Sequence, residues 1–236
     1  DATLSAGSPA NAIQAALDSP LYENICLLPG VYYFASTIEV RSGKKLKGLG
    51  ASRSDVAINT SASRGFRMHD YSEIENISIY SGPPGSVSFG VLIYHKVGVR
   101  IASISIAYAD INVGIVGSND VRILDSFMYY PGSRPGPEPN IWIDNSQNIS
   151  VRYGASYGSG IGPGGDGEVA AHRSTNVLIE GHHIIDSGAS GLYFVNCDYC
   201  TVNNVTILRS REWGFDIVDG SDYVLVTNST AEDSWF

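Results

Sequence analysis

The chain has 236 residues, with 24 Asp and Glu against 15 Lys and Arg and a net charge of −9. No basic run is present to neutralise phosphates, which argues against nucleic acid or an anionic membrane as a partner, and no stretch has the apolar length that spans a bilayer. Three cysteines are too few for a disulfide framework, and Asp1-Ala2-Thr3 carries no signal-peptide pattern.

From the N-terminus, Ser8-Pro9 predicts a helix start, with a hydroxyl N-cap and proline at the first helical position. Ile13, Ala16 and Leu17 form its apolar face, and Asp18-Ser19-Pro20 ends it. The next stretch reads Ile25-Cys26-Leu27-Leu28, the turn Pro29-Gly30, Val31-Tyr32-Tyr33-Phe34, Ile38-Glu39-Val40 and Lys45-Leu46-Lys47-Gly48-Leu49-Gly50. Three pieces of it, Ala12-Ile13-Gln14-Ala15-Ala16-Leu17, Leu28-Pro29-Gly30-Val31-Tyr32 and Leu46-Lys47-Gly48-Leu49-Gly50, resemble the opening segment of the pectate-lyase-like β-helix superfamily. The resemblance implies a parallel β-helix. It is poor for function, because that superfamily includes polysaccharide lyases, epimerases, hydrolases, phage tailspikes and proteins without known activity.

The remainder is a repeat. A small residue followed by alternating apolar positions recurs at Gly65, Gly90, Gly114, Asn140, Gly167, Gly191 and Gly214, with starts 23 to 27 residues apart. A second apolar phrase follows each, as in Val121-Arg122-Ile123, Ile149-Ser150-Val151 and Val177-Leu178-Ile179. Apolar residues at every second position are the strand period, and a fixed period of this length marks a solenoid. The sequence therefore predicts an all-β fold: one domain over 1–236, a right-handed parallel β-helix whose coils span 25–236, with residues 1–24 and their short helix capping the first coil. Trp235-Phe236 follows the last recognisable coil, so the reading expects a further segment, closure by the chain's own aromatics, or self-association through a partner chain.

Two coils carry Gly/Pro-rich insertions, Tyr129 to Pro139 and Tyr153 to Asp166, which are expected to wall a groove or to be tolerated without a task. Asn59, Asn76, Asn148, Asn204 and Asn228 stand in N-x-S/T sequons, though β-helix turns favour Asn for its backbone alone. Cys200 reads as a core thiol, and Cys197 with Cys200 is a lone C-x-x-C that supports zinc weakly and leaves a short disulfide open. His182-His183 point opposite ways along a strand, so at most one serves an external site.

Counting outward positions from each small residue gives Arg67 and His69, Leu92 and Tyr94, Val116 and Ser118, Trp142 and Asp144, Val169 and Ala171, Tyr193 and Val195, and Asp216 and Val218. One position on lie His95, Asn145, His172, Asn196 and Asp219. Trp142, Asp144, His172, Tyr193, Asp216 and Asp219 would then share a patch about 15 Å long. Rings that stack on pyranose faces and carboxylates that hold hydroxyls or Ca²⁺ make a sugar-binding floor, or else a solvated face. Arg100 and Arg122, in one column with Lys47, and Arg152 on its own strand form a basic stripe, read as a cradle for an acidic polymer or as charge balance with Glu75.

Two local resemblances bear on chemistry. Trp213-Gly214-Phe215-Asp216 resembles the Y-G-F-D-P-H signature of mannuronan C5-epimerases, with Ile217 and Val218 at its proline and histidine. Asn140-Ile141-Trp142-Ile143-Asp144 resembles the v-W-I-D-H motif of pectate lyases, whose Asp helps bind calcium, with Asn145 at the histidine. These imply a secreted or cell-surface protein acting on an acidic, uronate-containing polysaccharide as lyase or epimerase. Tyr193 or His172 is the expected base, Asp216 and Asp144 are the other catalytic candidates, Trp142, Asn196, Asp219, Arg100, Arg122 and Arg152 bind substrate, and Ca²⁺ is the cofactor left open. The alternatives are a non-catalytic carbohydrate-binding, adhesive or structural module, and a glycoside hydrolase.

Overall fold

The computed structural model describes residues 1–82, 87–130, 138–158 and 167–234. It is a parallel β-solenoid of three sheets. Among the described residues the first sheet has eight strands, from Ile38–Val40 to Phe215–Val218, the second ten, from Ala2–Leu4 to Leu225–Thr227, and the third nine, from Gly30–Phe34 to Thr230–Glu232. Each lap passes from first to second to third sheet, and every strand pairs in parallel with its counterparts one lap away. Ala2–Leu4, ahead of the expected first coil at residue 25, is the first rung of the second sheet, paired with Asn24–Leu27.

Inward side chains stack into rows along the axis. Phe66, Val91, Val113, Ile141, Val169 and Leu192 form one such row and are all buried. Parallel strands leave no gap between rungs, so β-branched residues fill the core lap after lap.

The helix Ala10–Asp18 covers the first coil with Ile13 and Leu17 buried, as its apolar face predicts. Its start differs from the expectation. Pro9 occupies the N-cap with extended backbone, and no side chain caps the helix, so Ser8 does not serve. Gln14 does a different job. Its Nε2 donates to the Glu39 carbonyl at 3.1 Å and its Oε1 accepts from the Glu39 N–H at 2.8 Å. One amide thereby satisfies both polar groups that the edge strand Ile38–Val40 would otherwise leave open.

Corners carry left-handed residues. Asn76, Asn148, Asn204 and Asn228 have φ of 56°, 54°, 53° and 49°, the conformation that Asn tolerates best among side-chain-bearing residues. At the corner between first and second sheets runs an internal hydroxyl ladder. Lys96, Ser118 and Ser146 N–H groups each donate at 3.1 Å to the Oγ of Ser118, Ser146 and Ser174 one lap on. Cys197 continues it: its thiol accepts from Ser174 N–H and donates to the Ala171 carbonyl at 3.0 Å, and its own N–H donates to Ser221 Oγ at 3.1 Å.

The C-x-x-C is therefore a ladder thiol followed by a core thiol. Both cysteines are free and buried, and no cluster of three His, Cys, Asp or Glu forms among the described residues. The hydrogen bond from Cys200 lowers the Cys197 thiol below its ordinary value, while the Cys200 thiol, donating and buried, is pushed up. Cys197→Ser is expected to leave the urea midpoint nearly unchanged. Cys197→Val strands the Ser174 N–H and is expected to cost about 1–3 kcal/mol; equal midpoints for the two variants would contradict the ladder role.

Candidate functional site on the first sheet

Strand register sets two outward columns on the first sheet. One runs Glu39, Arg67, Leu92, Gly114, Trp142, Ala170, Tyr193, Asp216. The other runs Tyr94, Val116, Asp144, His172, Val195, Val218, with His69 just past the end of the strand below Tyr94. Trp142, Asp144, His172, Tyr193 and Asp216 thus share one face over four rungs, about 14 Å.

Two parts of the column reading are corrected. Val169 and Ala171 are fully buried in the core, and Ala170 and His172 take the outward positions. The lap at Gly167 begins one residue later than the repeat of small residues predicts: Glu168, not Gly167, aligns with Asn140 and accepts a hydrogen bond from its side-chain amide inside the corner. Ser118 is likewise buried, in the hydroxyl ladder, because Asn112 and not Gly114 is the counterpart of Asn140. His172 therefore stands within the strand and not on the turn. The residue at the turn is Arg173, in a left-handed row with Asn145, Asn196 and Asp219 (φ 47°, 48°, 51° and 45°). Asn196 and Asp219 are exposed at this edge, linked through the Asn196 N–H donating to the Asp219 carbonyl at 3.0 Å.

Arg173 has no motif signal, and the sequence reading missed it. Its Nη2 donates to both oxygens of Asp144 at 2.7 and 2.8 Å, and its Nε donates to Oδ1 at 3.0 Å. Asp144 is 13% exposed and Arg173 65%, so the guanidinium covers the acid and reaches into solvent. The His172 ring meets Tyr193 edge to face, with centroids 5.5 Å apart and planes at 72°. Trp142 and Tyr193 flank the buried Ala170, and the Trp142 Nε1 is buried without a hydrogen-bond partner among the described residues. Ser190 Oγ donates to Asp216 Oδ2 at 3.2 Å. Burial, with a smaller push from Glu212, raises the Asp216 carboxyl above the ordinary range despite that bond.

At the other end of the same face lies a second polar group, also missed. His69 Nε2 is 2.6 Å from Glu39 Oε2, and Arg67 approaches Glu39 Oε1 at 3.8 Å. His69 and Glu39 are far apart in sequence and meet only through the lap.

The basic stripe is on the second sheet. Arg100 pairs with Glu73 and lies 3.9 Å from Glu75, Arg122 is 3.1 Å from Asp120, and Arg152 is 3.3 Å from Glu180. Lys47 is not in the column of Arg100 and Arg122. It shares that of Arg152 and lies 3.6 Å from Glu75. These cations are balanced within their own sheet, which favours the charge-balance reading over a free cradle. The insertions expected to wall a groove fall largely on 131–137 and 159–166, outside the described residues. No helix is long and apolar enough to cross a membrane among the described residues.

Fold and face together define a parallel β-helix with a mixed aromatic and ionisable sheet. Neither a protein-family model nor a curated protein sequence matches the chain. Solved structures do. PfbA, a surface adhesin of Streptococcus pneumoniae, superposes with a TM-score of 0.74 at 12% identity, over 94% of this chain and 70% of that one. The catalytic domain of a GH87 α-1,3-glucanase in complex with nigerose gives 0.61 at 12%, over 96% and 52%. An alginate lyase from Paenibacillus sp. str. FPU-7 gives 0.60 at 14%, over 97% and 99%. This chain thus spans about half the length of the glucanase domain, and at these identities the likeness is one of fold.

Proposed function

We propose that the first-sheet face binds an acidic, uronate-containing polysaccharide and abstracts the C5 proton of a bound sugar, as a secreted lyase or epimerase. The observation that carries this reading is the His172–Tyr193 contact on adjacent rungs, with the Arg173–Asp144 pair beside it. Trp142 offers a ring for a pyranose face. Arg173, exposed and already shaped for a carboxylate, neutralises the uronate group, which acidifies C5. His172 takes the C5 proton. In elimination the electron pair forms the C4–C5 double bond, the C4–O4 bond breaks, and Tyr193 gives its phenol proton to O4. In epimerisation no bond to O4 breaks: His172 keeps the proton it took, and Tyr193 gives its phenol proton to C5 on the opposite face of the ring. Asp216, with its raised carboxyl, lies one rung beyond Tyr193 and holds substrate hydroxyls. That the superposable structures include an alginate lyase supports the substrate class.

With pectate or alginate in D₂O, the expected result is ultraviolet absorbance from unsaturated uronate or deuterium at C5 by NMR. His172→Ala and Tyr193→Phe should each lower that rate at least about 100-fold with unchanged circular dichroism. Polymers that bind without either signal would leave the other reading, a non-catalytic carbohydrate-binding face. The bidentate hold of Arg173 on Asp144 favours that reading, since it ties up one of the candidate acids.

A further inference from the structure

The three sheets differ in what they show to solvent. The first and second carry the ionisable residues described above. The two outward columns of the third sheet hold no Lys or Arg and one carboxylate, Glu232 on the last rung, among the described residues. They hold rings instead. One column contains Tyr33, Tyr80, Tyr129 and Tyr157, with Asn59 between the first two and Ala107 between the second and third. The other sets Ala155 between Phe127 and His183.

Where rings occupy consecutive rungs they close on each other: Tyr129 and Tyr157 stack with centroids 5.1 Å apart and planes within 7°. Where a small residue intervenes, the flanking rings stand two rungs apart, about 10 Å, and a gap one ring thick remains. Each of the three gaps is a hollow in the surface. The first, between Tyr33 and Tyr80, is about 400 Å³. The second, between Tyr80 and Tyr129 over Ser78 and Ser105, is about 480 Å³. The third, beside Phe127, Tyr157 and His183 over Ala155, is about 320 Å³. Their centres fall on every second rung.

The chemistry of these hollows is aromatic and hydroxylic. Arg53, at the rim of the second, is committed: it donates to the Asp125 carbonyl at 2.7 Å and to Asp125 Oδ2 at 3.0 Å, and lies 4.5 Å over the Phe127 ring. Walls of rings, floors of asparagine in the first hollow, serine in the second and alanine in the third, and no uncommitted cation suit a ring-shaped, uncharged, hydroxyl-rich ligand. They do not suit a polyanion.

We propose that the outward face of the third sheet is a second glycan-binding track, which takes a neutral linear polysaccharide with hexopyranose rings seated in the three hollows. Pyranose C–H faces pack between the aromatic walls, and tyrosine, serine and asparagine groups meet the ring hydroxyls. The two-rung repeat lets one extended chain seat alternate sugars. The track is independent of proton abstraction on the first sheet.

Affinity electrophoresis of the whole chain through gels containing β-glucan, xyloglucan, galactomannan, starch, pectate or alginate tests it, followed by calorimetry with a hexasaccharide of the retarding polymer. At least one neutral polymer is expected to retard the protein. Tyr80→Ala and Tyr129→Ala should each weaken the hexasaccharide about tenfold or more. Tyr33→Ala, at a position 71% exposed, gives a variant the fold tolerates and should weaken it as well. Trp142→Ala, on the first sheet, and Tyr223→Ala, at a corner, should leave it unchanged. Retardation by no neutral polymer would overturn the proposal. So would affinities within twofold for the Tyr33, Tyr80 and Tyr129 variants, or loss of neutral binding in Trp142→Ala. Failure of the uronate chemistry would leave these outcomes untouched.

Discussion

Acidification from pH 7.5 to 5 is expected to remove about 2 kcal/mol of folding stability through a single imidazole. His182 lies inside the solenoid, 1% exposed, with Nε2 2.9 Å from Ser156 Oγ and Nδ1 without a hydrogen-bond partner among the described residues. Burial, aided slightly by the charge of His183, lowers its pKa from 6.5 to about 3. The unfolded chain therefore binds a proton near pH 6.5 and the folded one near 3, so within that window the unfolded state holds more protons and stability rises with pH. The contribution is complete above pH 6.5 and falls by about 1.4 kcal/mol per unit below it. Urea unfolding at pH 7.5, 6 and 5 should show this slope, and His182→Asn, which keeps a polar group without titrating, should flatten it. The same slope in that variant would place the effect elsewhere.

That His182 and His183 point opposite ways was legible, because a strand alternates by necessity, but which of the two lies inside was set only by the register of the lap. The lap was legible for the same reason: apolar residues at a period of two inside a period near 25 admit few architectures. The corners were less so. At Gly167 and Gly114 the eye aligns small residues, whereas the chain aligns Asn112, Asn140 and Glu168, whose amides and carboxylate hydrogen-bond from lap to lap inside the corner. A shift of one residue there carried Val169 and Ala171 from the outside to the core. Arg173, Glu39 and His69 were invisible as a site because each finds its partner one lap away, at a separation no motif encodes. The third-sheet hollows escaped for a different reason. They are defined by small residues, Ala107 and Ala155, which a search for reactive side chains passes over.

Gly48→Ala is expected to be among the most damaging single substitutions in the chain, at about 3 kcal/mol or more. Gly48 closes the second-sheet strand Lys45–Gly48, and a Cβ built there falls 2.0 Å from the Asn76 carbonyl oxygen and 3.1 Å from Val56 Cγ2. The obstacle is backbone, so no rotamer change relieves it. Nor can Asn76 withdraw: its Nδ2 donates to the Gly48 and Gly50 carbonyls at 3.0 and 2.9 Å, and its N–H donates to the Ala102 carbonyl at 3.1 Å. Moving it would break the stack between two laps. The second glycine of this opening motif is under the same constraint, since a Cβ on Gly50 would lie 2.2 Å from Asp55 Cβ, where Asp55 Oδ2 accepts the Ser52 N–H at 2.9 Å. Gly43→Ala separates contact from conformation. It has φ of 69° with open space around the missing Cβ, so only backbone strain of about 1–2 kcal/mol opposes it. Urea midpoints should therefore rank wild type above Gly43→Ala and both well above Gly48→Ala. If Gly48→Ala instead unfolds within about 1 kcal/mol of wild type, the two laps can part at that point, and the tight rung-to-rung approach that aligns every proposed side chain on the faces above it is not enforced there.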